Sequence, residues 1–161
     1  MGGSVLRFQR DYDFAPGVVW DALVDSDLVG GWLAEAEIEP RVGGRYDLTW
    51  HAPIGLGATN GEVADLMEPQ LLVVELERIG TVTFGLSELP DGTNGLATRL
   101  SVVVDSLVET LLSDGLSATW LASLDQLEEL LRGHPVDWAH WHRDWHDSWS
   151  AYLGEVENSA S

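Results

Sequence analysis

Four stretches between Glu35 and Asp105 alternate apolar and polar residues with a period of two, and nothing else in the chain constrains its fold as tightly. The apolar sets are Tyr46, Leu48 and Trp50, then Leu72, Val74 and Leu76, then Val82, Phe84 and Leu86, and finally Leu100, Val102 and Val104. Turn-forming residues separate them: Gly43-Gly44, Pro53 to Gly57, Asn60-Gly61, Pro69-Gln70 and Pro90-Asp91-Gly92. Successive strand side chains point to opposite faces, so these sets make one dry face of an antiparallel meander. The other parity carries Arg45, Asp47, Thr49, Glu75, Glu77, Arg99 and Asp105, which meet water. Glu35, Glu37 and Glu39 alternate in the same way and read as a solvated face.

A dry sheet face needs a cover. Leu116, Trp120, Leu124, Leu127 and Leu131 recur at helical spacing within Leu116 to Arg132, and Gly133 followed by Pro135 ends that helix. At the other end, Leu6, Phe8, Tyr12 and Phe14 share one parity, with Arg10 the exception, which predicts a strand from Val5 to Phe14. Pro16 suits the first turn of a helix bearing Val19, Trp20, Leu23 and Val24. Ser26 or Asp27 is positioned to cap a second short helix with Leu28, Val29, Trp32 and Leu33. After Gly133 a last helix is predicted from Pro135 to Leu153, where Trp138, Trp141, Trp145, Trp149 and Tyr152 form an aromatic stripe. A stripe of that size does not stay wet, so it packs within the chain or joins a second subunit, and intramolecular packing is the leading expectation. Met1 to Ser4 and Asn158 to Ser161 read as frayed ends.

Strand, two short helices, curved antiparallel meander and long crossing helix make an α+β helix-grip arrangement, with an extra Trp-rich helix at the C-terminus. Several motifs carry a closer likeness. Val19-Trp20-Asp21-Ala22-Leu23, Trp32-Leu33, Pro40-Arg41-Val42-Gly43-Gly44-Arg45-Tyr46 with Leu48 and Trp50, and Gly61-Glu62-Val63 resemble the SRPBCC (START-like) superfamily. Within it they resemble relatives of the activator of the heat-shock-protein-90 ATPase. Thr81-Val82-Thr83-Phe84, Gly92-Thr93 and Thr98-Arg99-Leu100 resemble that family's last two strands. The likeness spans about residues 6 to 132, and it implies a helix-grip unit over 5–133 with 134–156 packed on it as a C-terminal aromatic helix. There are departures: Gly115 is followed by Leu116 where the family has Trp, and Leu76 stands where many members place Trp in the fifth strand.

The resemblance also implies an apolar cavity between sheet and long helix. By parity its lining is Trp32, Tyr46, Leu48, Trp50, Val74, Leu76, Val82, Phe84, Val102, Trp120 and Leu124. The alternative for each residue is that it simply fills a core. The leading function is therefore a non-enzymatic binding protein for a hydrophobic or aromatic small molecule. An aromatase/cyclase-type enzyme, which the superfamily includes, and a chaperone-associated interaction module are the alternatives. For an enzyme, His51 and Asp65 are the strand-borne acid/base candidates, although His51 has the opposite parity to Trp50 and is expected to face water.

Composition narrows the rest. Among 161 residues there are 27 acids against 8 basic residues, all Arg, for a formal net charge of -19. Nucleic acid and anionic membrane surfaces are poor partners for such a chain. No stretch of about 18 apolar residues is present to span a bilayer. With no Lys there is no Schiff base or phosphate-loop lysine, and with no Cys there is no thiol catalysis or Cys-held zinc. His142 and His146 stand four apart, but Arg143 follows the first, where a helical zinc protease motif needs Glu; they read as a polar flank of the Trp stripe. No cofactor and no metal are expected. The opening MGGSVLRFQRD has no apolar signal core, which with the absence of Cys makes a cytoplasmic location the expectation; the chain is expected to be a monomer or a homodimer.

Overall fold

The computed structural model describes residues 4–51, 57–92, 95–106 and 110–159; for 4, 91, 92, 95, 110–114 and 156–159 it describes the backbone alone. The expected loop at 53–56, the Gly92-Thr93 pair beyond Gly92 and most of the expected frayed ends lie outside the described residues.

Strand β1 (Ser4–Tyr12) leads into α1 (Pro16–Val24) and α2 (Ser26–Val29). The strands β2 (Glu35–Ile38), β3 (Tyr46–Thr49), β4 (Ala58–Thr59), β5 (Gly61–Met67), β6 (Leu71–Leu76), β7 (Gly80–Gly92) and β8 (Gly95–Ser106) follow. Helix α3 (Thr110–Leu131), a 3-10 turn (Trp138–His140) and α4 (Trp141–Ser159) complete the chain. This is the antiparallel sheet with long covering helix and extra helix that the patterning predicts.

The hydrogen-bonded strands form two sheets, β1-β8-β7-β6-β5 and β2-β3-β4, rather than one continuous meander. They are stitched where the Arg41-Val42-Gly43-Gly44 turn meets β5: Gly43 N–H donates to Val63 O and Val63 N–H to Gly44 O, each at 2.8 Å, beside an Arg45–Glu62 bridge. Glycine is required at the seam. A Cβ on Gly61 would stand 2.3 Å from Tyr46 O, and one on Gly44 2.3 Å from Glu39 O.

Four local expectations need correction. The cap of α2 is Asp25, whose Oδ1 accepts from Asp27 N (2.9 Å) and Leu28 N (3.3 Å); the Ser26 hydroxyl instead accepts from Ile38 N at 2.9 Å. That helix stops at Val29, and Trp32 and Leu33 belong to the following turn. At the C-terminus, the segment from Pro135 is not helical until the 3-10 turn, because Val136 N–H is taken by Gly31 O (2.8 Å) and Asp137 caps Ala139 N (3.2 Å). Helix α3 also starts earlier than its apolar stripe, at Thr110. Its end is as predicted: Gly133 sits at φ +93°, Gly133 N–H donates to Leu130 O and His134 N–H to Glu129 O, a glycine-capped helix end.

Helix α3 is apolar on two sides. Leu116, Trp120, Leu124 and Leu127 join one buried cluster with Leu72, Val74, Val82, Phe84, Leu100, Val102 and Val104 of the large sheet. Ala118 and Ala122, on the far side, form a second cluster with Trp141 and Trp149 of α4, flanked by Trp138, Trp145 and Tyr152. The aromatic row is thus covered by the chain's own long helix. Small alanines on α3 leave room for the indoles, while Trp149 Nε1–H donates to Thr119 Oγ1 (3.0 Å) and Tyr152 O–H to the Asp125 carboxylate (2.5 Å).

Candidate functional site

All eleven residues proposed from strand parity and helix spacing are buried, none more than 5% exposed, and all belong to the cluster between the large sheet and α3. The cross-strand register sets Phe84 opposite Val102 and Val74 opposite Val82. Above them, the Trp120 ring lies 6.0 Å from Phe84 and 6.2 Å from Trp50, the latter edge-to-face at 72°. This aromatic trio lies within the buried cluster.

Polar tips in the cluster are held by the protein itself. Trp32 Nε1–H donates to Ala22 O (2.7 Å), Trp50 Nε1–H to Thr59 Oγ1 (3.1 Å) and the Tyr46 hydroxyl to Leu23 O (2.8 Å). Burial pushes the Tyr46 phenol above its ordinary range, and Tyr12, which donates to Leu124 O at 2.7 Å, is raised by the same cause. Both stay neutral donors. Among the described residues, the Trp120 Nε1–H is buried without a hydrogen-bond partner.

Among the described residues the buried polar side chains are Thr, Ser and Gln; no acid, His or Arg is among them. His51 lies at the surface, 3.4 Å from the Glu35 carboxylate and with its ring 5.1 Å from Trp138, so it supports the C-terminal segment and not the core. Asp65 is exposed, its Oδ1 accepting from Leu66 N at 2.9 Å. His142 and His146 stack on one another at 4.2 Å along α4, and no cluster of three metal-ligating side chains is present among the described residues. Clefts open elsewhere. One of about 360 Å³ lies over β2, β3 and β4 beside Glu35, Glu37 and Asp47, and one of about 620 Å³ lies between Pro16, Pro69, Leu86 and Leu96. Of the eleven, Leu48 alone lines either.

Residue patterning missed Gln126. Buried in α3 between the two clusters, it donates through Nε2 to Trp32 O (2.6 Å) and accepts at Oε1 from Trp141 Nε1 (2.8 Å). Its signal was a lone amide between the stripe positions Leu124 and Leu127.

This fold and its residues can be set beside known proteins. The profile of the family described as Activator of Hsp90 ATPase homolog 1-like protein matches residues 13–132, which is most of the chain. The chain belongs to that family. No curated protein matches it. Among solved structures, this family member resembles MLL2253 from Mesorhizobium loti, with a TM-score of 0.70 and 21% identity over 83% of this chain and 100% of that one. It also resembles CalU16 from Micromonospora echinospora (TM-score 0.68, 23% identity, 96% and 89% covered) and the BPP1335 protein from Bordetella parapertussis (0.71, 21%, 95% and 84%). At these identities the likeness is one of fold. The long-helix cover and the sheet follow the architecture that these structures share. The last two of these structures cover nearly the whole chain, so their match extends past residue 132, beyond the family profile.

Proposed function

We propose that the protein is a non-catalytic binder of a hydrophobic or aromatic small molecule, held between the large sheet and α3. The observation that carries this reading is the aromatic and aliphatic cluster around Trp120, Trp50 and Phe84, which among the described residues contains no buried Asp, Glu, His or Arg. Binding sites for apolar molecules are lined in this way, with a few fixed polar groups for orientation. His51, on which an enzymatic reading turns, faces Glu35 and Trp138 at the surface, and this favours binding over catalysis.

The test is a thermal-shift screen of neutral naphthalene, steroid and long-chain alkyl probes. A ligand present at 100 times its Kd stabilises the native state by about 2.7 kcal/mol. No shift with any of these classes overturns the reading. Turnover of an aromatic substrate that is lost in His51→Ala would replace it with an enzymatic one.

A further inference from the structure

We propose that the molecule bound in this core is neutral and carries a hydrogen-bond acceptor, a carbonyl or ether oxygen, that is received by the Trp120 indole N–H. The inference deepens the binding role proposed above and rests on it. Five other indoles in the chain donate within the protein: Trp32 to Ala22 O, Trp50 to Thr59 Oγ1, Trp138 to Gly30 O at 2.6 Å, Trp141 to Gln126 Oε1 and Trp149 to Thr119 Oγ1. Trp120 is 0% exposed and its Nε1–H has no partner. Buried donors are nearly always paired, so an unpaired one requires an explanation.

The position supplies one. The ring sits on the sheet-facing side of α3, edge-to-face with Trp50 and tilted against Phe84, within the cluster proposed to hold the ligand. An indole nitrogen donates and cannot accept, so the partner has to bring a lone pair. The partner is also uncharged. A carboxylate would enter an apolar core that offers no buried cation among the described residues, inside a molecule already at -19.

The test uses a matched pair of probes, 2-acetylnaphthalene and 2-isopropenylnaphthalene, which differ in having C=O or C=CH2 at the same place. Affinities are measured calorimetrically, and the indole N–H signals are followed by NMR on protein with 15N-labelled tryptophan. The ketone is expected to bind about tenfold tighter, equivalent to ~1.4 kcal/mol, and to move the Trp120 N–H proton downfield; the hydrocarbon leaves that proton in place. In Trp120→Phe the preference falls to within about twofold. Should that variant fail to fold, the assigned Trp120 signal of the wild-type protein decides alone. Equal binding of the two probes, or a Trp120 proton that neither moves, overturns the acceptor while leaving the binding role intact. A Trp120 proton already downfield and protected before any probe is added assigns its hydrogen bond to a water or a ring face, and also overturns the acceptor. Binding of neither probe removes the binding role and this inference together.

Discussion

Tyr46 ties β3 to α1 by donating to Leu23 O, a carbonyl in the last turn of that helix, where no intrahelical N–H is left to pair with it. Tyr46→Phe should therefore cost about 1–3 kcal/mol in urea unfolding, the penalty for stranding a buried acceptor. The same phenol gives a pH dependence of definite sign. Burial raises its folded pKa above the ordinary value of 10.0, so the unfolded chain ionises first. Its contribution to stability is complete below pH 10 and is lost as the pH rises beyond it. Unfolding midpoints measured from pH 8 to 11 should fall above pH 10 in the wild type and fall less in Tyr46→Phe; parallel profiles would contradict this. Phe84, beside Trp120, should cost about 3–5 kcal/mol when changed to Ala if the free protein is close-packed there, and less if it lines an open cavity; a loss below about 1 kcal/mol would exclude the packed core. At this scale the sequence was highly legible. Strand parity and helix spacing together picked out eleven side chains that all prove buried, because both periodicities are local properties of their elements. Hydrogen-bond partners were not legible. The pairing of Trp141 with Gln126 and the lack of any partner for Trp120 depend on which elements meet, and spacing along the chain does not encode that.

At the level of elements, the strands β6, β7 and β8 and the helix α3 follow from periodicity, and the departures occur where distant backbone groups intervene. Gly31 O takes Val136 N–H and Gly30 O takes the Trp138 indole, so the chain after Gly133 runs back along the α2 end before it can coil. Likewise the two sheets meet beside Gly44 and Gly61, where the approach of backbone to backbone leaves no space for a side chain. Helix α4 is fastened to α3 through Trp141 and Trp149. Each buried indole is worth ~1.5–3 kcal/mol, and at ~2–4 °C per kcal/mol for a chain of this size truncation after Gly133 should lower the melting temperature by roughly 10 °C. Binding of a hydrophobic dye to the newly bared Ala118 and Ala122 face should accompany the loss. A truncated protein that is monomeric, dye-silent and equally stable would show α4 to be a mere appendage.

For the whole molecule, charge dominates. Arginines stand beside acids across the surface: Arg10 by Asp125, Arg41 by Glu39, Arg45 by Glu37 and Asp47, Arg99 by Asp11, Arg132 by Glu128 and Arg143 by Asp144. Little positive charge remains to offset 27 acids, and the surface repels itself. Raising salt from about 0.05 M to 1 M, which shortens the screening length to about 3 Å, should raise the melting temperature; a fall would show that these ion pairs outweigh the net repulsion. Binding to duplex DNA at physiological salt should be undetectable. Helix α3 meanwhile is shared by two interiors, with Gln126 reaching from Trp32 on one side to Trp141 on the other. Trp50 and Trp120 lie on the sheet side of that beam and Trp149 on the far side, so the protein carries its own optical gauge. A guest that shifts α3 by even a fraction of a turn changes the surroundings of several fluorophores together, and its arrival can be watched in unlabelled protein from both sides of the helix.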